Sequence, residues 1–225
     1  MEENPAPLIA QARRFLEDLR LFEGEDFIAP PAGEEAQAPA GESLEEFRGR
    51  ICACTRCPLG HTRQQFVFGA GNPEAGLVFV GEAPGEEEDR QGIPFVGAAG
   101  QLLTRIIEAM QLRREEVYIC NTVKCRPPEN RQPTPEEMAE CAPYLQKQIE
   151  IIRPRIICAL GRVAAQALLK TDAPLRALRG KLHEYRGIPV LVTYHPAALL
   201  RRAELKRETW EDMKWLRREY DGVEL

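Results

Sequence analysis

The sequence predicts an α/β protein built on a parallel sheet. Three observations lead there: short apolar strands alternate with amphipathic helices, polar clusters follow the strand ends, and 225 residues suffice for a sizeable core. The pattern begins at Ser43, which with Glu46 forms a capping box before Leu44 and Phe47. LVFVG (77–81) reads as a strand running into a Gly/Pro turn, AAGQLLTRIIEAM (98–110) as a helix and VYICNTV (117–123) as a second strand. Thr134, Pro135 and Glu137 supply an N-cap, an N1 proline and a capping residue for a helix to about Ile152. RIICALG (155–161) is a third strand, RVAAQALL (162–169) a helix, IPVLVTYHP (188–196) a fourth strand, and a last helix covers about 207–220. In parallel sheets, ligands bind beyond the carboxyl ends of the strands. Here those ends read GEAPGEEED (81–89), NTVKCRPPENR (121–131), GR (161–162) and HPAALLRR (195–202).

Composition excludes several classes. Hydrophobic residues make up 44% and charged residues 29%, ordinary for a globular chain. The longest apolar runs fall far short of the ~20 residues that span a bilayer, so no membrane partner is expected. The first residues lack a basic stretch followed by an apolar one, so no secretory signal is expected and the cytoplasm is the predicted location. No repeat of 20–50 residues is visible.

Two segments are predicted, an acidic N-terminal tail (1–42) and a compact domain (43–225). Within the tail, residues 8–22 have helical spacing and residues 23–42, rich in Pro, Gly, Ala and Glu, read as a flexible linker. Residues 1–43 hold ten acids and three bases, a balance of −7, so the remaining 182 residues carry +2 within a total of −5. The acidic total therefore leaves room for a basic face on the domain.

Seven cysteines stand at 52, 54, 57, 120, 125, 141 and 158. In a reducing compartment, clustered cysteines serve more often as metal ligands than as disulfides. Cys54-Thr-Arg-Cys57 is a chelating knuckle, and Cys125 and Cys141 flank a proline-rich loop and the start of a helix, a four-thiolate pattern. Cys52 could replace Cys54, and Cys120 could replace Cys125. Cys120 and Cys158 sit in predicted strands and read as small core residues. Ligand identity alone does not separate zinc from an iron–sulfur cluster.

Three further constellations stand out. In Gly81-Glu82-Ala83-Pro84-Gly85 the backbone turns sharply enough to approach a ligand, with the Glu82 carboxylate locked in the turn; Glu86 and Glu87 read as a solvated acidic loop. Asn121 is an amide among apolar residues at a strand end, where it either matches the Watson–Crick edge of a pyrimidine or caps a turn. His195 closes the last strand ahead of a proline turn, two leucines and two arginines, whereas His61 and His183 read as ordinary loop histidines.

Together GEAPGEEED, PFVG (94–97), NTVKC and HPAALLR resemble the family 4 uracil-DNA glycosylases of bacteria and archaea, over about residues 44–220. The resemblance implies a three-layer α/β/α sandwich around a four-stranded, mainly parallel sheet. It also implies that Cys54, Cys57, Cys125 and Cys141 hold a [4Fe–4S] cluster. It implies a monofunctional glycosylase that flips uracil from single- or double-stranded DNA and hydrolyses its N-glycosidic bond, acting as a monomer. In that scheme Phe95 stacks on the base, Asn121 reads its N3/O4 edge, and amides of the Gly81–Gly85 turn hold a carbonyl oxygen. His195 donates to uracil O2, and Glu82 positions the attacking water.

Related family 1 enzymes carry Gln-Asp-Pro-Tyr in this turn. Here Ala83 stands at the Asp position and Gly85 at the Tyr position, so Glu88 is expected to swing in as the wall against a thymine methyl. Arg126, Arg131, Arg179, Lys181, Arg201 and Arg202 are candidate phosphate contacts, and Leu199 or Leu200 a candidate wedge into the gap left by the flipped base. A related subgroup traps DNA through a histidine in a basic loop; KCRPPENRQP has none, which favours turnover. The alternative reading is a catalytically silent iron–sulfur DNA-binding module whose acidic tail docks a protein.

Overall fold

The computed structural model describes residues 41–222, and the predicted tail helix and linker lie outside them. Helix α1 (Leu44–Ile51) opens with the expected capping box, the Ser43 hydroxyl accepting from the Glu46 amide and the Glu46 carboxylate from the Ser43 amide. A short helix α2 (Leu59–Thr62) follows. The strands are β1 (Ala70–Gly71), β2 (Leu77–Gly81), β3 (Tyr118–Asn121), β4 (Ile156–Leu160), β5 (Leu182–Tyr185) and β6 (Ile188–Thr193). They form one sheet in the order β1-β3-β2-β4-β6-β5. The inner four run parallel, and the two edges pair antiparallel.

The sheet therefore has six strands where four were expected. The additions are the two edges. β1 has only two residues, and β5 alternates exposed and half-buried positions, so neither carries the apolar run that marks a central strand.

The inner strands are buried on both faces, with side chains alternating between two cores. Val78 and Val80, Ile157 and Ala159, and Val190 and Val192 join α1, α5 (Pro135–Ile152), α6 (Arg162–Leu169) and α7 (Leu175–Leu178). Leu77 and Phe79, Ile156 and Cys158, and Leu191 face α4 (Ala98–Ala109) and α9 (Leu205–Asp221). This is the expected three-layer sandwich. Cys120 and Cys158 are core residues, as their strand positions suggested.

The acidic stretch after the first turn is a helix, α3 (Glu86–Gln91), rather than a loop. It has no apolar period. Gly85 and Gly92 bound it, and its buried Asp89 carboxylate accepts the Gln64 and Gln65 amides. No helix among the described residues is long and apolar enough to cross a membrane.

Candidate active site

The carboxyl ends of β2, β3 and β6 converge on a cavity of about 450 Å³. Glu82, Ala83, Glu88, Phe95, Asn121, Arg131, His195 and Arg201 all line it. Gly81 lies behind its wall. A Cβ there would stand 2.4 Å from Asn121 Oδ1 and 2.6 Å from the Phe95 ring, so only glycine permits this approach.

Asn121 is 1% exposed, and its Oδ1 is a buried acceptor without a hydrogen-bond partner. Leaving such an atom unpaired costs about 1–3 kcal/mol, which a ligand N–H at that point would recover. Phe95 adopts a left-handed backbone, φ 53°, rare for an aromatic residue. Its neighbours hold it there. Arg114 donates to the Pro94 carbonyl at 2.7 Å, and Glu88 Oε1 accepts the Val96 and Gly97 amides, both at 2.9 Å.

Glu88 does not swing. Its other oxygen accepts the Gly85 amide at 3.1 Å, so three backbone donors pin the carboxylate. Pinned, it already stands where a side chain at position 85 would begin, Oε2 lying 2.7 Å from an ideal Cβ on Gly85.

β6 leads through Tyr194 to His195, the N-cap of helix α8 (Pro196–Arg201). Its Nδ1 accepts the Ala197 amide at 3.2 Å. Burial, assisted by the nearby Arg201 charge, pulls the imidazole down to about 4 against the opposing pull of Glu88. The ring is therefore neutral near pH 7 with its proton on Nε2. It faces Phe95, the ring centroids 5.5 Å apart. Across the cavity burial raises the Glu82 carboxyl, opposed by the Arg162 guanidinium. Arg162 lies at the start of α6 and also donates to Gln132.

The four expected thiols gather beside this cavity. Cys125 and Cys141 are buried with Leu59 and Val123, and Cys57, Tyr144 and Ala83 pack against them. Ala83 thus belongs to both sites. The Tyr144 hydroxyl lies 3.2 Å from Cys54 Sγ. Burial pushes the Cys125 thiol up, against Arg63, which donates to its sulfur at 3.3 Å, and Cys57 and Cys54 push it further. Burial likewise pushes Cys141 up to about 11, Lys124 opposing and Cys125 and Cys57 adding to it. Cys52 is exposed, its thiol 3.4 Å from the Gly49 carbonyl.

The basic residues sort unevenly. Arg131 and Arg201 line the cavity, though Arg131 also grips Glu137 with both amino groups, at 2.8 and 2.6 Å. Arg126 binds Asn130 at 2.9 Å and approaches Glu86. Lys181 and Arg202 are exposed, away from the cavity lining. Arg179 is withdrawn from the candidates, because Asp212, Glu208 and the Tyr194 ring occupy its guanidinium. Leu199 is also withdrawn. It is 2% exposed in the packing under α8, whereas Leu200 is 48% exposed.

Sequence reasoning missed Arg114, Arg162 and the fully buried Lys124, whose local sequence looks like surface charge. Only Arg162 left a signal, in the GR dipeptide ending the third strand.

Fold and site together define an α/β protein with a recess at the carboxyl ends of its parallel strands, lined by Phe95, His195 and the unpartnered amide oxygen of Asn121. The family model of the uracil DNA glycosylase superfamily matches residues 68–214, and the chain belongs to that superfamily. It is 46% identical over 181 residues to the type-4 uracil-DNA glycosylase of Archaeoglobus fulgidus, covering 77% of this chain and 91% of the relative. It is 48% identical over 177 residues to that of Thermotoga maritima, covering 77% and 92%. The type-5 uracil-DNA glycosylase of Pyrobaculum aerophilum is 30% identical over 188 residues, covering 69% and 83%.

Proposed function

We propose that the chain flips uracil out of single- or double-stranded DNA and hydrolyses its N-glycosidic bond, leaving an abasic site, as a monomer in the cytoplasm. The unpartnered Asn121 Oδ1 carries this reading. It meets the N3–H of uracil, a donor that cytosine lacks, while the amide nitrogen gives to O4. Phe95 stacks on the ring, and backbone amides of the Gly81–Gly85 turn receive a carbonyl oxygen. The pinned Glu88 carboxylate walls off the place a thymine methyl would take.

Breaking the glycosidic bond leaves negative charge on the base and positive charge on the sugar. His195, neutral and protonated on Nε2, donates to uracil O2 and stabilises the leaving anion. Glu82 orients the water and supports the cationic sugar, with no aspartate at position 83 to do so. Unstacking a base costs a few kcal/mol, and Leu200 fills the gap it leaves. Arg131 and Arg201, which line the cavity, serve as phosphate contacts, with Arg126 bound to the lining residue Asn130 and Lys181 further out.

The thiol set fits an iron–sulfur cluster. Cys57, Cys125 and Cys141 share an apolar pocket, Cys54 lies against Tyr144 at its side, and Arg63 and the Lys124 amide donate to the Cys125 and Cys141 sulfurs. Cys54, Cys57, Cys125 and Cys141 would hold a [4Fe–4S] cluster, whose chemistry there is to cross-link α5 to the loops before and after the sheet edge. The complete donor set around the cavity speaks against a silent DNA-binding module. Release of free uracil from an oligonucleotide with one uracil tests the activity, and an oligonucleotide that keeps its uracil would refute it.

A further inference from the structure

Lys124 has no exposed surface. Its ammonium gives to the Asn121 backbone carbonyl at 2.8 Å and to Gln148 Oε1 at 2.5 Å. Both acceptors are neutral, and among the described residues no carboxylate forms an ion pair with it. A buried cation held only by neutral acceptors is expensive, and an apolar side chain would serve packing better.

What the ammonium holds gives the reason. Asn121 is the last residue of β3, and the next amide, Thr122, gives to Gly81 across the strand pair. The Asn121 carbonyl belongs to that same peptide unit and points the other way, so Lys124 on one side and Gly81 on the other fix the unit that follows the Asn121 Cα. Gln148 is anchored in turn, giving to the Phe68 carbonyl at 2.9 Å and the Tyr118 hydroxyl at 3.2 Å. The Lys124 main chain faces the other way. Its amide donates to Cys141 Sγ at 3.3 Å, and its carbonyl accepts the Val67 amide at 2.9 Å. One residue therefore touches the base reader with its side chain and the thiol pocket with its backbone.

We infer that Lys124 is a positioning residue for base recognition, aligning Asn121 from the thiol pocket through its ammonium and its backbone amide. Thiolates bound to iron would supply the negative charge that its immediate partners lack. The inference rests on the reading of Asn121 as the group that binds uracil.

The test uses Lys124→Met in the iron-loaded full chain. Iron per protein, inhibition by free uracil, affinity for abasic-site DNA and excision are measured on one preparation. Losing a charge-assisted contact should weaken uracil inhibition roughly tenfold or more. Abasic DNA, which lacks the base, should bind within about twofold of wild type because its contacts are to the backbone. Adding Asn121→Ala to Lys124→Met should then weaken uracil little further, since both changes remove one function. Wild-type uracil inhibition by the folded, iron-loaded variant would overturn the inference, as would equal losses for uracil and abasic DNA.

If Lys124→Met does not fold, Gln148→Met removes one anchor of the ammonium and should show the same split, smaller in size; no split there also overturns it. Asn121→Ala alone separates the two readings. Unchanged uracil inhibition in that variant means Asn121 does not bind the base. Weakened inhibition there beside a normal Lys124→Met means that only the role of Lys124 fails.

Discussion

His195 Nδ1 lies 3.2 Å from the Ala197 amide nitrogen, and this contact decides which ring nitrogen carries the proton. A backbone amide can only donate, so Nδ1 must accept and Nε2 must hold the hydrogen. The helix cap that starts α8 thus leaves Nε2 as the ring's donor, as the proposed role at the leaving base requires. His195→Ala should lower single-turnover excision by roughly 10²–10³ while leaving affinity for uracil-containing DNA close to wild type. A binding loss equal to the rate loss would show that the histidine acts in the ground state.

The same ring should leave no mark on the rate between about pH 5 and 8. Its value lies near 4 in the folded chain and near 6.5 in the unfolded one, so the unfolded chain takes up the proton first. The stability it contributes is complete above about pH 6.5 and is lost as pH falls towards 4. Thermal melts of wild type and His195→Asn across that window should converge at the acid end.

Glu82 behaves in the opposite sense. Burial raises its carboxyl, so it takes up a proton at a higher pH than a free glutamate, and the acid limb of excision should follow it. Glu82→Gln should lower the rate and flatten that limb. Because the buried charge opposes folding above the raised value, the variant should melt no lower than wild type at neutral pH. An unchanged acid limb would assign it to another group.

Asn121→Asp should reduce uracil release, since a second acceptor replaces the amide donor, and cytosine with its exocyclic amine becomes the better fit. Product analysis on paired uracil and cytosine oligonucleotides reads this out. Unchanged uracil release would remove Asn121 from recognition.

Cys141→Ala should lose colour, iron and thermal stability together, because the thiol joins α5 to the Cys125 loop. Full iron and a wild-type melt would break the ligand assignment.

Leu200→Ala should slow excision from duplex DNA several-fold more than from single strands, where no stack needs filling. Equal effects on both would rule out a wedge.

Much of this was legible in one dimension. LVFVG and RVAAQALL mark β2 and α6 to the residue, because an apolar run bounded by glycine and a 3.6-residue period each have one reading. Ser43 and Thr134 announce their helices through side chains that bond three residues on. Glu82, Asn121 and His195 were visible because each interrupts or ends an apolar strand, where packing alone would select another residue.

Other features exist only in three dimensions. The α3 segment has no apolar period, and its helix is held by Asp89 reaching amides about 25 residues earlier in the chain. Leu199 and Leu200 are equivalent as letters, and the direction of α8 alone buries one and exposes the other. Arg179 reads as a free cation until α9 brings Asp212 and Glu208 to it. Lys124 is the extreme case, a charged residue in a polar loop whose partners come from β3 and α5. Sequence by itself determined the local periods, the caps and the types of side chain at the strand ends, because those depend on neighbours within a few residues. The tertiary structure decided which charges are spent on the protein itself and which face a ligand, because hydrogen-bond partners distant in sequence meet only after the sheet is assembled.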